Sequence, residues 1–177
     1  MTTNTWRKAA IVLGAGALVS MAGTADAQSA RARGAGPLRD LQVTTSQPTD
    51  GATAQVVATE SAGMTTVTLK VQALDHAAAG TTLGAHVHVG PCVSAQPLVA
   101  GPHYNAGGTA SPQTEVWLDF TIEANGTAWA ETTVPFSIPQ GGAASVVIHA
   151  DPTHHGPGPV PPVGSAGPRL ACLPVQF

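Results

Sequence analysis

The sequence predicts an all-β domain, a sandwich or barrel of short strands, and three observations carry that prediction. Of 177 residues, 20 are Gly and 15 are Pro, so few stretches are long enough for a helical bundle, and Val and Thr crowd the segments between them. Strand-like segments fall at 54–60, 65–74, 83–89, 115–123, 127–134, 144–150 and 169–175. Within them apolar residues recur with the period of two that sets one face of a strand against a core.

Taken in order, residues 1–27 read as an export signal. Arg7 and Lys8 lead into an apolar run, 9–22, that closes in Ala25-Asp26-Ala27. The run is short and rich in Gly and Ala, so cleavage after Ala27 suits it better than a membrane anchor, and no membrane span is expected in the mature chain. Residues 28–40 have no apolar period and are expected to be a flexible lead-in to a folded domain at 41–177. Removing Arg7, Lys8 and Asp26 from the seven basic and ten acidic residues leaves five and nine, a net charge of −4. With no basic cluster, nucleic acid is excluded as a partner. In an exported chain the two cysteines, Cys92 and Cys172, favour one disulfide over two thiols.

Parity then separates the faces. Val67, Leu69 and Val71 share one side of their strand, and Val116, Leu118, Phe120 and Ile122 share one side of another, so these sides are expected to form the core. Asn125-Gly126 between two strands reads as a two-residue type I′ hairpin turn. Asn125-Gly126-Thr127 is also a glycosylation sequon, but the turn accounts for both flanking strands. The loops 90–114, 135–142 and 151–168 lack periodicity, and loops of such length in a compact domain carry function. No Gly-x-Ser-x-Gly, nucleotide-binding or Cys-x-x-Cys motif is present, which removes support for a hydrolase or a nucleotide enzyme.

The chemistry lies in the histidines. His86 and His88, two apart in Gly84-Ala85-His86-Val87-His88-Val89, share one strand face, while Ala85, Val87 and Val89 take the core side. Both imidazoles are therefore expected to point outward from the wall of the domain. Val146 and Ile148 place His149 on an outward face in the same way, and His103, after Gly101-Pro102, offers a fourth ring. One such histidine alone is more often an ordinary surface residue; three segments supplying four of them point to an imidazole metal site. Copper, zinc, nickel and iron all accept nitrogen donors, and a tetragonal set of four favours copper.

At this point the motifs resemble a known family. Gly-Ala-His86-Val-His88-Val-Gly-Pro-Cys92, Ala-Gly-Pro-His103-Tyr-Asn, Val-Val-Ile-His149-Ala-Asp151-Pro and Gly-Ser-Ala-Gly-Pro-Arg169-Leu-Ala-Cys172 are similar to, and ordered as in, copper/zinc superoxide dismutases. The resemblance, over about residues 54–175, implies a superoxide dismutase-like Greek-key β-barrel or sandwich with long functional loops. It implies copper at His86, His88, His103 and His149, with His103 at the position that bridges copper and zinc. It implies Arg169 as the guide for superoxide, a Cys92–Cys172 disulfide, and conversion of superoxide to O2 and hydrogen peroxide. Arg169 and His103 are then the catalytic candidates, with His103 handing a proton to the product.

The departures from the family concern zinc. Between His103 and Glu115 there is no histidine or aspartate, and Gln113 and Val116, which fall near the family's remaining zinc positions, are not zinc ligands. The sequence therefore resembles the copper-only branch, with one copper per chain and no zinc, in which a glutamate orients the bridging imidazole. Glu115 is the candidate, since it shares a face with Trp117 and Asp119 opposite the apolar side; a solvated strand face accounts for it equally well. The loop from Pro152 to Pro168 contains no charge, only His154 and His155, which solvation explains better than copper recruitment, and His76 stands alone. A non-enzymatic extracytoplasmic copper-binding or delivery protein on the same fold is the alternative function.

Overall fold

The computed structural model describes residues 1, 30–43, 45–156 and 162–177. The expected signal segment and its cleavage point fall outside them. Ten strands are present among the described residues: β1 (Ala30–Pro37), β2 (Arg39–Asp40), β3 (Thr53–Ser61), β4 (Met64–Gln72), β5 (Thr82–Leu83), β6 (Ala85–His88), β7 (Phe120–Thr121), β8 (Ala128–Val134), β9 (Ser145–His149) and β10 (Arg169–Pro174). They build an all-β Greek-key sandwich. One sheet runs β1-β3-β4-β8, the other β2-β10-β9-β6, and β5 pairs with β7 at the side; every pairing is antiparallel.

The period of two explains the core. Val67, Leu69 and Val71 of β4 point inward with Val56 of β3, and meet Ala85, Val87, Val146, Ile148 and Leu173 from the facing sheet. Each fully buried Val, Leu or Ile of this set contributes about 1.5–3 kcal/mol. The outer face of β4 and β8 is mostly polar, with Thr66 and Thr133 hydroxyls 2.8 Å apart and Thr68 donating to Glu131 at 2.9 Å, beside the exposed Met64 and Trp129.

Four expectations are corrected. First, 30–37 and 39–40 are not a flexible lead-in: β1 pairs with β3 from Ala30 to Pro37, and β2 pairs with β10. The inward positions of β1 include Ala32 and Gly34, which give no hydropathy signal. Gly34 is required for close approach, because a Cβ there would strike the Pro174 carbonyl and come within 2.9 Å of Val175 Cγ2. Second, the expected strand 115–123 keeps its parity, with Val116, Leu118, Phe120 and Ile122 buried, but only Phe120–Thr121 pairs as a strand. Its earlier residues make isolated bridges, His86 with Trp117 and Asn105 with Glu115.

Third, the hairpin before β8 is not type I′. Gly126 N–H donates to Glu123 C=O at 2.9 Å and only Gly126 has positive φ, 71°, so a type I turn is followed by a left-handed glycine. Asn125 stays at negative φ because its Oδ1 accepts from the Thr127 amide and hydroxyl. Fourth, Val89 is 40% exposed rather than core, since β6 ends at His88.

Cys92 and Cys172 form a disulfide, with Cα atoms 5.7 Å apart. Together with Leu41, Ala100 and Val147 they make a second small core on the outer face of the β10-β9-β6 sheet. That cluster seats the loop that follows β6 against the sheet and so brings His103 back over β6.

Candidate metal centre

His86 pairs across the sheet with Val147, and His88 with Ser145, so both imidazoles lie on the face opposite Ala85 and Val87. That is the face parity assigns, but the rings are not exposed: His86 and His88 are both 0% accessible. Described residues of the two flanking loops cover this face: Gly101 and His103 from one, Thr153 and Gly167 from the other, lie against the histidine rings. His88 is bridged to His103, whose neighbour Tyr104 donates its amide to Val87 C=O at 2.8 Å. His149, at the end of β9, pairs with Arg169 of β10.

The four histidines converge, with one nitrogen from each lying within 4.8 Å of the others. Second partners fix which nitrogen is bare. His88 Nδ1 donates to Gly101 C=O at 3.0 Å, His149 Nδ1 to Gly167 C=O at 3.2 Å, and His103 Nδ1 to Glu115 Oε2 at 2.8 Å. Each therefore turns Nε2, rather than Nδ1, toward the centre. His86 is reversed: its Nε2 bonds Thr153 Oγ1 at 2.7 Å, and its buried Nδ1 has no partner.

This donor set fits a metal ion. His88 Nε2 and His149 Nε2 face one another at 3.3 Å. With both Nδ1–H groups donated elsewhere, two lone pairs oppose each other, an arrangement a cation resolves and a hydrogen bond does not. The orphaned Nδ1 of His86 meets the same need. Burial, then the neighbouring imidazoles, hold the His86 and His88 pKa values far below the ordinary range. Burial also lowers His149, to about 4, against the opposing bond to Gly167 C=O. Neutral imidazoles are the form that ligates. Four nitrogens without sulfur suit copper.

Glu115 is 6% exposed, so the solvated-face alternative is overturned. Its Oε2 accepts from His103 Nδ1 and, at 2.9 Å, from Trp117 Nε1; its Oε1 accepts from Asn105 Nδ2 at 3.1 Å. Burial raises its pKa, but the bonds from His103, Trp117 and Asn105 outweigh this and leave it below the usual carboxylate range. The side of His103 away from the cluster thus faces a carboxylate.

Arg169 donates to Pro97 C=O at 2.6 Å and to Gly101 C=O at 2.7 Å. Gly101 C=O consequently anchors both Arg169 and His88. The residue must be glycine, since its φ is +69° and a Cβ would come within 2.9 Å of Val89 Cγ2. Among the described residues His76, His154 and His155 do not join the cluster; the His155 ring stands edge-on to Trp117, 4.9 Å between centroids. The carbonyls of Gly101 and Gly167, with Asn105, Thr153 and Asp119, are site groups that the sequence reading missed. Any residue carries a carbonyl, so those two leave no signal; Asp119 shares the parity of Glu115 and could have been paired with it.

Residues 51–173 match the family model for copper/zinc superoxide dismutase. The chain belongs to that family. Solved structures with the same fold include a double mutant of a SOD-like protein from Bacillus subtilis, 18% identical, with 82% of this chain and 97% of that one covered at a TM-score of 0.58. The Cu/Zn superoxide dismutase from Brucella abortus is 21% identical, with 82% and 99% covered and a TM-score of 0.58. No protein among those with curated descriptions matches the chain. The family model spans all four clustered histidines, Glu115, Arg169 and both cysteines.

Proposed function

We propose that the chain is an exported superoxide dismutase that holds one copper at His86, His88, His103 and His149 and no zinc. The observation that carries this reading is the opposition of bare, buried imidazole nitrogens, together with a carboxylate on the outer nitrogen of His103. Export is supported by the signal-like leader and by the disulfide, which persists in an oxidising compartment.

Copper, when bound, would supply the one-electron chemistry that oxidises one superoxide to O2 and reduces the next, with two protons, to hydrogen peroxide. The chain's residues do the rest. Glu115 holds the His103 proton on Nδ1, which leaves Nε2 as the atom that would hold the copper and would be free to carry a proton toward the product. The backbone carbonyls that hold Arg169 fix its guanidinium near His88. With no charge in Pro152–Pro168 and a net charge of −3 on the whole chain, attraction of an anion falls to that guanidinium.

Arg169→Glu separates an enzyme from a copper carrier. The copper-loaded variant is expected to lose about 10-fold or more in dismutation rate and to change its salt dependence, with copper content unchanged. An unchanged rate would remove Arg169 from the mechanism. Absence of dismutation in the copper-loaded wild type would assign the chain to copper binding instead.

A further inference from the structure

His86 is the one ring of the four that turns Nδ1 to the centre, and the cause lies in residues outside the four ligands. Thr153, buried in the loop after β9, bonds its hydroxyl to His86 Nε2 at 2.7 Å. The same hydroxyl donates to Asp119 Oδ1, and the Thr153 amide donates to Asp119 Oδ2 at 2.7 Å. A carboxylate only accepts, so it claims the hydroxyl proton. The hydroxyl then has only a lone pair to offer His86, whose Nε2 must carry the proton, and this leaves Nδ1 bare where it has no other partner.

We infer that Thr153 and Asp119 form a relay that positions His86: Asp119 sets the direction of the Thr153 hydroxyl, and Thr153 sets the tautomer and ring orientation of His86. The inference rests on the proposed copper centre and adds to it two positioning residues, neither of which touches the metal position. The chain of bonds also joins the Asp151–Thr153 loop to the segment before β7. The same contact that closes the site thus presets one ligand, and ligand preorganisation of this kind is worth about 10–100-fold in metal affinity.

Three variants test it: Thr153→Val, which keeps the volume and removes the hydroxyl, Thr153→Ser, which restores the hydroxyl, and Asp119→Asn. In the metal-free full chain, ¹⁵N NMR of the histidine rings is expected to show His86 protonated at Nε2 in the wild type and in Thr153→Ser, and a tautomer mixture in Thr153→Val. Cu(II) affinity, measured by competition with a chelator, is expected to fall about 10–100-fold in Thr153→Val and to recover in Thr153→Ser, with the Cu(II) EPR spectrum altered only in the former. If Thr153→Val does not fold, Asp119→Asn carries the test through the same two readouts: its one oxygen is claimed by the Thr153 amide, its NH2 then faces the hydroxyl, and the hydroxyl proton is freed. Wild-type tautomer and wild-type affinity in a folded Thr153→Val or Asp119→Asn would overturn the relay. A wild type that fails to bind Cu(II) through four nitrogens would instead sink the copper centre, while the metal-free tautomer still judges the relay.

Discussion

Replacing Glu115 separates its service to His103 from its service to the fold. The carboxylate takes three donors, His103 Nδ1 and Trp117 Nε1 on Oε2 and Asn105 Nδ2 on Oε1. Glu115→Gln keeps one oxygen, which can still face His103 and Trp117; its NH2 then opposes Asn105, an exposed residue free to turn to water. Two charge-assisted bonds become neutral ones, a loss of about 1 kcal/mol each, or about 2 kcal/mol in all. Glu115→Ala leaves the His103 and Trp117 donors unmet at about 1–3 kcal/mol each, so about 2–6 kcal/mol is expected. Urea denaturation of the metal-free protein measures both costs, and chelator competition measures copper affinity, expected to fall about 10–100-fold and further for Ala than for Gln. Two variants that each lie within about 0.5 kcal/mol of wild type would refute the reasoning, because that is the range of a surface substitution with no buried partner.

Two further outcomes follow from the same structure. The disulfide spans a sequence separation of 80, for which chain entropy gives roughly 4.5 kcal/mol; the Cys92→Ala/Cys172→Ala variant is expected to melt about 10–18 °C lower, and a shift under about 3 °C would contradict that account. His86, His88 and His149 have folded pKa values below the unfolded value of 6.5, to about 4 for His149, so the unfolded chain binds more protons as pH falls. Their stabilisation of the metal-free protein is complete above about pH 6.5 and is lost on acidification, at up to about 1.4 kcal/mol per pH unit per histidine. Urea midpoints that do not move between pH 7.5 and 5 would contradict it.

What the sequence made legible depended on whether side chains alone carried the information. The alternation of Val67, Leu69 and Val71 is a one-strand signal, and β4 formed as that pattern required. The two-residue spacing of His86 and His88 placed them on one face correctly, yet said nothing of the loops that bury that face, since loop closure depends on the Cys92–Cys172 bond and on contacts far apart in sequence. β1 was hidden because Ala32 and Gly34 bury little and Gly34 is chosen for space. Thr153 was invisible for a related reason: it lies in a loop rich in Pro and Gly without period, and only its contacts with Asp119 and His86 give it a task.

Metal content and dismutation, measured on one purified sample of the chain loaded with equimolar copper and zinc and then dialysed, bear most directly on the claim that four imidazoles and Glu115 make a copper-only centre. About one copper per chain, no stoichiometric zinc, and superoxide dismutation that is lost when copper is chelated are expected. Equal, tightly held copper and zinc would contradict the role given to Glu115, and copper without dismutation would contradict the enzymatic reading.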